Sequence, residues 1–232
     1  MGRYCLACRS IFAAAALFAA LSGAGPAFGQ AAKKEAPPAP AGATSVMTAP
    51  KAEVTGFRSA RFGMNEAEVK AAILKDFNLK GDAVRDQANP GERTKALVIA
   101  VPDLLPGGGK ADVSYVFGYQ TKKLIQITAS WSKATDDKMT PEQLFSNSTV
   151  LREFFMTEGY KSDTVATNMP VANGVLIFRG SDASERSTIL ILQGSLAEGK
   201  DKQRVLTPTG LLLFYVANAK TPDIYRLPQG SF

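Results

Sequence analysis

The sequence predicts an α+β fold in which an antiparallel sheet packs on a small number of helices. Two segments begin with helix-capping patterns, and six others have the apolar patterns of strands. A short polar connection between two strand candidates predicts a hairpin, which makes those strands antiparallel. The order of one helix and then three strands occurs twice. The fold is therefore compatible with two tandem α-β-β-β units, at residues 57–133 and 134–220.

The first 29 residues have the pattern of an export signal. Two arginines precede an apolar core at residues 11–21, and small residues two positions apart then predict cleavage before Gln30. The core is too short to span a membrane, which takes about 20 residues. We therefore predict a signal peptide at residues 1–29 and a mature chain that is periplasmic or secreted and has no transmembrane segment.

The rest of the chain divides by composition. Residues 30–52 are rich in alanine and proline and have no hydrophobic periodicity, which predicts a disordered linker. Residues 53–232 contain the helix and strand patterns, so we predict that they form the globular α+β domain.

The first helix has the clearest local pattern. Asn65 is suited to the N-cap position, and Glu68, three residues later, completes a capping box. Val69, Ile73 and Phe77 then recur every four residues, which predicts one buried stripe.

Strand patterns follow this helix. A polar stretch at residues 80–93 is predicted to be a loop, and three segments with period-two alternation come after it, at residues 97–101, 113–119 and 125–131. Alternation of this kind is typical of strands with one buried face.

The second half begins with a similar helix pattern. Thr140 is the predicted N-cap, Pro141 occupies the first helical position, and Gln143 is placed to close a capping box. The predicted buried stripe of this helix consists of Val150, Leu151, Phe154 and Phe155. The three strand candidates that follow are apolar on both faces and lie around residues 175–178, 188–193 and 211–216.

The composition excludes several chemistries. The chain has no histidine, and both cysteines, Cys5 and Cys8, lie in the predicted signal peptide. Ser-His-Asp and Cys-His catalysis, zinc sites with the usual ligands and histidine-bound haem are therefore excluded from the mature chain. We predict no cofactor and no metal site. The net charge is +6, and the basic and acidic residues are mostly interspersed along the chain. No aromatic residues interleave with the basic clusters, so nucleic acid is not an expected partner.

One sequence string resembles a catalytic motif. Ser130 and Lys133 have the Ser-x-x-Lys spacing of serine acyl-transferases that act on cell-wall peptides, and residues 162–163 and 220–221 partly match the companion motifs. However, Ser130 ends a predicted strand, whereas the motif belongs at a helix start. We therefore keep this enzyme only as an alternative and predict no catalytic residues.

Two other polar strings have simpler interpretations. Residues 107–110 read Gly-Gly-Gly-Lys but lack the leading glycine and the following serine or threonine of a phosphate-binding loop. They predict a flexible connection between strands. Asp136 and Asp137 precede a helix cap, where acidic side chains interact favourably with the helix dipole.

A group of aromatic residues is the candidate contact site. Its members are Tyr115, Phe117, Tyr119 and Trp131, all on predicted strands. The pattern favours packing of this group under a helix. If part of the group lies on an exposed face, it is suited to contact with another protein, because Trp and Tyr dominate interface hot spots.

The string from Gly63 to Val69, which reads Gly-Met-Asn-Glu-Ala-Glu-Val and precedes the strands with alternating aromatic residues, resembles small outer-membrane assembly lipoproteins of the SmpA/OmlA type. The tandem arrangement is also similar to that of the β-lactamase-inhibitor protein. This resemblance implies an α/β layer whose sheet or loops bind another protein, and it carries over no catalytic residue. The chain has no cysteine after the apolar core of its predicted signal, where a lipid anchor would be attached.

These observations predict an exported, periplasmic, non-catalytic protein that binds another envelope protein. Two alternatives stay open. A small-molecule or lipid carrier would need an apolar cavity between the sheet and the helices, and a cell-wall acyl-transferase would use Ser130 and Lys133.

Overall fold

The computed structural model describes residues 51–198, 204–228 and 230–231. The predicted signal peptide and most of the predicted linker lie outside these residues. Ala52, at the end of that linker, is buried, and its amide donates a hydrogen bond to the carbonyl of Gly159 (3.1 Å). The described elements are, in chain order, β1 (Gly56–Phe57), β2 (Ala60–Arg61), α1 (Glu66–Phe77), β3 (Arg85–Asn89), β4 (Thr94–Val101), β5 (Ala111–Phe117), β6 (Leu124–Ser132), α2 (Pro141–Thr157), β7 (Ala166–Val171), β8 (Gly174–Ser181), β9 (Ser187–Glu198) and β10 (Arg204–Val216).

Eight strands form one antiparallel sheet with the order β3-β4-β5-β6-β10-β9-β8-β7. The last strand of each half, β6 and β10, pair at the centre, where Trp131 lies opposite Leu211. Each half of the sheet thus consists of four strands that pair in chain order, and a helix precedes them in the sequence. The predicted α+β antiparallel fold is confirmed, but each half has one strand more than the predicted α-β-β-β unit.

The two additional strands are the edges of the sheet. The stretch at residues 80–93, predicted to be a loop, contains β3, and the second additional strand is β7. Each has only one neighbouring strand, and its residues are exposed or half-buried; β3 is mostly polar, whereas β7 has a mixed composition without alternation. The apolar alternation that reveals a half-buried strand is therefore absent from them.

The predicted start of α1 is confirmed. Asn65 Oδ1 accepts a hydrogen bond from the amide of Glu68 (3.0 Å), and the Glu68 carboxylate accepts one from the amide of Asn65 (2.7 Å). The helix ends at Asn78, which adopts the left-handed conformation. Val69 and Ile73 are fully buried, as the four-residue spacing predicted.

The start of α2 differs from its prediction in one respect. Thr140 Oγ1 accepts a hydrogen bond from the amide of Gln143 (3.2 Å), which confirms the N-cap. The predicted capping box is wrong, because the Gln143 side chain donates to the carbonyl of Gly107 (2.9 Å) in the β4–β5 loop. A tertiary contact has replaced the local one.

The predicted buried stripe of α2 is wrong for two of its residues. Phe155 is buried, but Val150 and Phe154 keep 49% and 53% of their surface exposed. Leu144 and Asn147 are buried instead. These buried residues share the face that packs on the sheet, and Val150 and Phe154 lie at its side.

One core cluster connects the two helices to one face of the sheet, and residues of α1, α2 and six of the eight sheet strands belong to it or pack against it. The strands β9 and β10 are apolar on both faces, which confirms their predicted character. Leu190, Leu192, Leu211 and Leu213 belong to the core cluster, and the buried side chains that alternate with them are Ile189, Ile191, Leu212 and Phe214.

Candidate functional site

An open cleft with a volume of about 440 Å³ lies at the N-terminal end of α1. Residues from the first turn of α1, the start of β4 and the β5–β6 connection line it. The side chains that define its character are Glu66, Arg93, Lys95, Phe117 and Lys122. Three basic side chains face one carboxylate, so the lining has a net charge of +2.

The negative charge of the carboxylate in the cleft is already balanced by two lysine side chains. Glu66 accepts hydrogen bonds from Lys70 Nζ and Lys95 Nζ, both at 2.7 Å. The hydrogen bonds from Lys70 and Lys95 lower the pKa of Glu66. Lys95 also lies 3.1 Å from Asp86 Oδ1. The positive charge that is not committed to a carboxylate therefore comes from Arg93 and Lys122.

Arg93 and Lys122 combine with two tyrosines into what we call the cation–tyrosine rim, made of Arg93, Tyr119, Lys122 and Tyr225. Arg93 Cζ lies 3.7 Å from the ring centroid of Tyr225, and Lys122 Nζ lies 5.3 Å from that of Tyr119. The two rings are 5.5 Å apart at an angle of 71°. Within the described part of the chain, neither cation has a carboxylate at salt-bridge distance.

The chain after β10 holds the rim in place through Asp223. Its carboxylate accepts hydrogen bonds from the amides of Gln120 and Thr121, both at 2.9 Å, and from Thr121 Oγ1 at 2.6 Å. Burial raises the pKa of Asp223, but these hydrogen bonds and the charge of Lys122 outweigh that effect and lower it. The amide of Tyr225 then donates to the carbonyl of Glu92 (2.9 Å).

The structure separates the four predicted contact residues. Tyr115, Phe117 and Trp131 lie in the core, each with at most 3% of its surface exposed. Burial raises the pKa of Tyr115. Tyr119, in contrast, is partly exposed and belongs to the rim of the cleft. The packing that the pattern favoured thus applies to three of the residues, although Phe117 also borders the cleft, and of the four only Tyr119 is partly exposed.

A second surface lies on α2, and the sequence pattern had placed part of it in the core. Phe145, Val150, Phe154 and Met156 are 61%, 49%, 53% and 50% exposed. Phe145 and Met156 are three turns apart on one side of the helix, and Val150 and Phe154 are one turn apart on the other. We call these four residues the α2 apolar surface. Glu142 and Glu153 lie between its two sides.

The residues of the Ser-x-x-Lys string are not arranged as a catalytic pair. Ser130 is buried within β6, and its hydroxyl donates to the carbonyl of Asp112 at 3.5 Å. Lys133 follows the strand in an exposed turn. Of the companion motif residues, Lys220 pairs with Glu185 at 3.0 Å.

The other polar strings have structural contacts. Asn147 Nδ2 donates to the carbonyl of Gly108 (2.8 Å), which attaches the Gly-rich loop to α2. Asp136 Oδ2 accepts a hydrogen bond from the amide of Lys110 (3.0 Å), and this bond is the main cause of the lowered pKa of Asp136. The glycines thus belong to a packed loop.

Neither a metal centre nor a membrane span is found among residues 51–198, 204–228 and 230–231. No group of three or more Asp, Glu, His or Cys side chains there is placed to hold a metal ion. No helix within these ranges has both the length and the apolar character to cross a bilayer.

Comparison with protein-family models, with curated proteins and with solved structures finds no match to this chain. The surfaces of the chain itself are consequently the basis for its function.

Proposed function

We propose that this chain is an exported, non-catalytic protein that binds another protein of the cell envelope, and that the α2 apolar surface is the principal contact. The observation that carries the proposal is the exposure of four large apolar side chains on a single helix. Exposed apolar groups of this size, when grouped, are typical of interaction surfaces.

A partner that covers these side chains would gain free energy from their burial. Full burial of a Phe, Val or Met side chain contributes about 1.5–3 kcal/mol. About half of the side-chain surface of Phe154, Val150 and Met156 is already buried in the free protein. Burial of the remaining surface of each would therefore contribute part of this free energy. Phe145 and Phe154, the two largest, flank the exposed face of α2. A partner that covers both sides of α2 would bury all four residues together.

The proposal of export is supported by the first 29 residues, with their basic start, short apolar core and small residues before Gln30. The test is N-terminal sequencing of the protein from the periplasmic fraction. We expect the sequence to begin at Gln30, and a chain that retains Met1 in the cytosolic fraction would contradict export.

The alternatives have less support. The carrier needs an apolar pocket between the sheet and the helices, whereas the cleft at α1 is open and lined by charged side chains. The enzyme needs an accessible nucleophile, whereas Ser130 is buried in β6. Lipid that co-purifies at a stoichiometric amount would favour the carrier, and labelling of Ser130 by a penicillin probe would favour the enzyme.

The experiment that tests binding uses a photo-crosslinking amino acid at position 154, introduced into the full chain and activated in intact cells. A matched chain has the same amino acid at position 80, because Lys80 is also exposed but lies outside the α2 apolar surface. We expect one abundant crosslinked envelope protein from position 154 and none from position 80.

A second variant controls for folding. Phe145→Ser combined with Phe154→Ser should abolish capture of that protein from envelope extract and leave the thermal midpoint within a few degrees, since both side chains are exposed. If the double variant captures the same protein as the wild type, or if positions 154 and 80 give the same products, the proposal is wrong.

A further inference from the structure

We propose that the cleft at the N-terminal end of α1 receives a carboxylate side chain of the bound partner, held by Arg93 and Lys122. This inference rests on the proposed function for the source of the carboxylate, since the partner is taken to be a protein. It adds a second contact, of opposite chemistry, to the α2 apolar surface.

The charged side chains of the cleft favour binding of an anion. Glu66 is the carboxylate that lines the cleft, and it is paired with Lys70 and Lys95. Arg93 and Lys122 lack such a partner in the described ranges, and both are exposed. The Asp223 carboxylate accepts hydrogen bonds from Gln120 and Thr121, and the charge of Lys122 lowers its pKa from beyond ion-pair distance. An incoming carboxylate would therefore meet two available cations.

Contacts with the two tyrosines hold these cations in position before a partner binds. The Arg93 guanidinium lies over Tyr225 at 3.7 Å, and Lys122 lies beside Tyr119. A stacked guanidinium keeps its N–H groups in the plane of the group, pointing away from the ring, where they can donate to a carboxylate. Because the side chains are already ordered, less conformational entropy is lost on binding.

The cleft also favours one class of anion over another. The Glu66 carboxylate lies in the same cleft and repels anions, so it disfavours a doubly charged phosphate monoester more than a singly charged carboxylate or phosphodiester. Tyrosine and arginine side chains at the rim are also residue types that dominate protein–protein hot spots. The charge of Glu66 thus favours a carboxylate over a phosphate monoester, and the residue types at the rim favour an acidic protein segment over a phospholipid headgroup.

The experiment measures binding of a fluorescently labelled hexaglutamate peptide, acetylated and amidated at its ends, to the full chain by fluorescence anisotropy at low salt. A hexaglutamine peptide is the control ligand. We expect hexaglutamate alone to bind, and Arg93→Gln with Lys122→Gln to weaken its affinity about tenfold, which is the loss expected for about 1.4 kcal/mol.

Three variants make the result specific. Lys80→Gln with Lys133→Gln removes the same net charge from two exposed lysines outside the cleft, and it should change the affinity by less than about twofold. Arg93→Lys with Lys122→Arg keeps the charge and should retain most of the binding. Phe145→Ser with Phe154→Ser should leave peptide binding unchanged, so a failure of the α2 contact is distinguished from a failure of the cleft.

Two outcomes would overturn the inference. One is equal weakening by the cleft pair and the control pair, which would mean that the peptide responds only to the overall charge. The other outcome concerns Arg93→Gln with Lys122→Gln. If this variant no longer binds vesicles of phosphatidylglycerol and phosphatidylcholine but still binds hexaglutamate, the inference is wrong. That result would assign the cleft to lipid phosphate.

Discussion

The side-chain amide of Asn147 donates a 2.8 Å hydrogen bond to the main-chain carbonyl of Gly108, and the bond is buried. It connects the second helix to a loop of the first half of the sheet. Gly108 permits the close approach, because a Cβ atom there would lie 2.9 Å from the carbonyl oxygen of Leu105 and 3.1 Å from Asn147 Nδ2. The Gly-rich string therefore serves packing between the halves.

Replacement of Asn147 by alanine should lower the free energy of unfolding by about 1–3 kcal/mol, because the carbonyl of Gly108 would be buried without a partner. Urea denaturation measures this change. Gln143→Ala is the matched control: its side chain donates to the neighbouring carbonyl of Gly107, but that bond is exposed to water. We expect it to cost about 1 kcal/mol or less, and equal effects would contradict the proposed role of burial.

Alanine substitutions at the adjacent residues Phe154 and Phe155 should lower stability by very different amounts. Phe155 is 2% exposed and stacks on Phe178 with ring centroids 5.5 Å apart. Phe155→Ala should therefore lower the free energy of unfolding by about 3–5 kcal/mol. Phe154→Ala should cost about 1 kcal/mol or less because more than half of that side chain is exposed. Calorimetry of both variants checks the orientation of α2, and a reversed order would mean that the helix is rotated.

Glu185 should make stability depend on pH in the acidic range. Its carboxylate lies 2.5 Å from Lys161 Nζ and 3.0 Å from Lys220 Nζ. Hydrogen bonds from Lys161 and then Lys220 lower the pKa of Glu185 from 4.5 to about 2. A folded-state pKa below the unfolded value stabilises the fold above about pH 4.5, and this stabilisation is lost as the pH falls towards 2.

The measurement for Glu185 is urea denaturation at pH 6 and at pH 3. Glu185→Gln should reduce the difference in stability between the two pH values relative to the wild type. Glu153→Gln is the control, since Glu153 forms no ion pair within the described ranges. An unchanged pH dependence in Glu185→Gln would refute the assigned pKa.

Asp223→Ala should release the chain after β10 from the β5–β6 connection. The amides of Gln120 and Thr121 lose their acceptor, so hydrogen exchange at both should accelerate, together with exchange at Tyr225. Because the pKa of Asp223 is lowered in the fold, the attachment is stable above the ordinary carboxyl pKa and weakens as the pH falls below it. Asp137→Ala, which alters an exposed carboxylate elsewhere, should leave these three amides unaffected.

Sequence patterns predicted well what depends on neighbouring residues. The capping box of Asn65 and Glu68 involves residues three positions apart, so it could be found without any tertiary information. The edge strands β3 and β7 were missed because their side chains are exposed or half-buried and show no apolar alternation, since β3 is mostly polar and β7 is mixed in composition. The capping role assigned to Gln143 was wrong because Gly107, a distant residue, competes for its side chain.

The candidate surfaces were less accessible to sequence reasoning. Phe154 and Phe155 are equally apolar, and only the packing of α2 decides which of them faces the sheet. The cation–tyrosine rim joins Arg93, Tyr119 and Tyr225, which come from three separate segments. No local spacing connects these residues, although an exposed Tyr beside basic residues at a turn was a partial signal.

The sequence alone determined the α+β class, the starting points of both helices and the absence of histidine and cysteine chemistry from the predicted mature chain. These properties depend on composition or on residues a few positions apart. The tertiary structure alone decided that Tyr115 and Trp131 are buried whereas Tyr119 reaches the surface. That difference depends on long-range packing, since Tyr115 and Trp131 belong to the core cluster. Tyr119, in contrast, adjoins a connection that Asp223 holds through Gln120 and Thr121, more than 100 residues away along the chain.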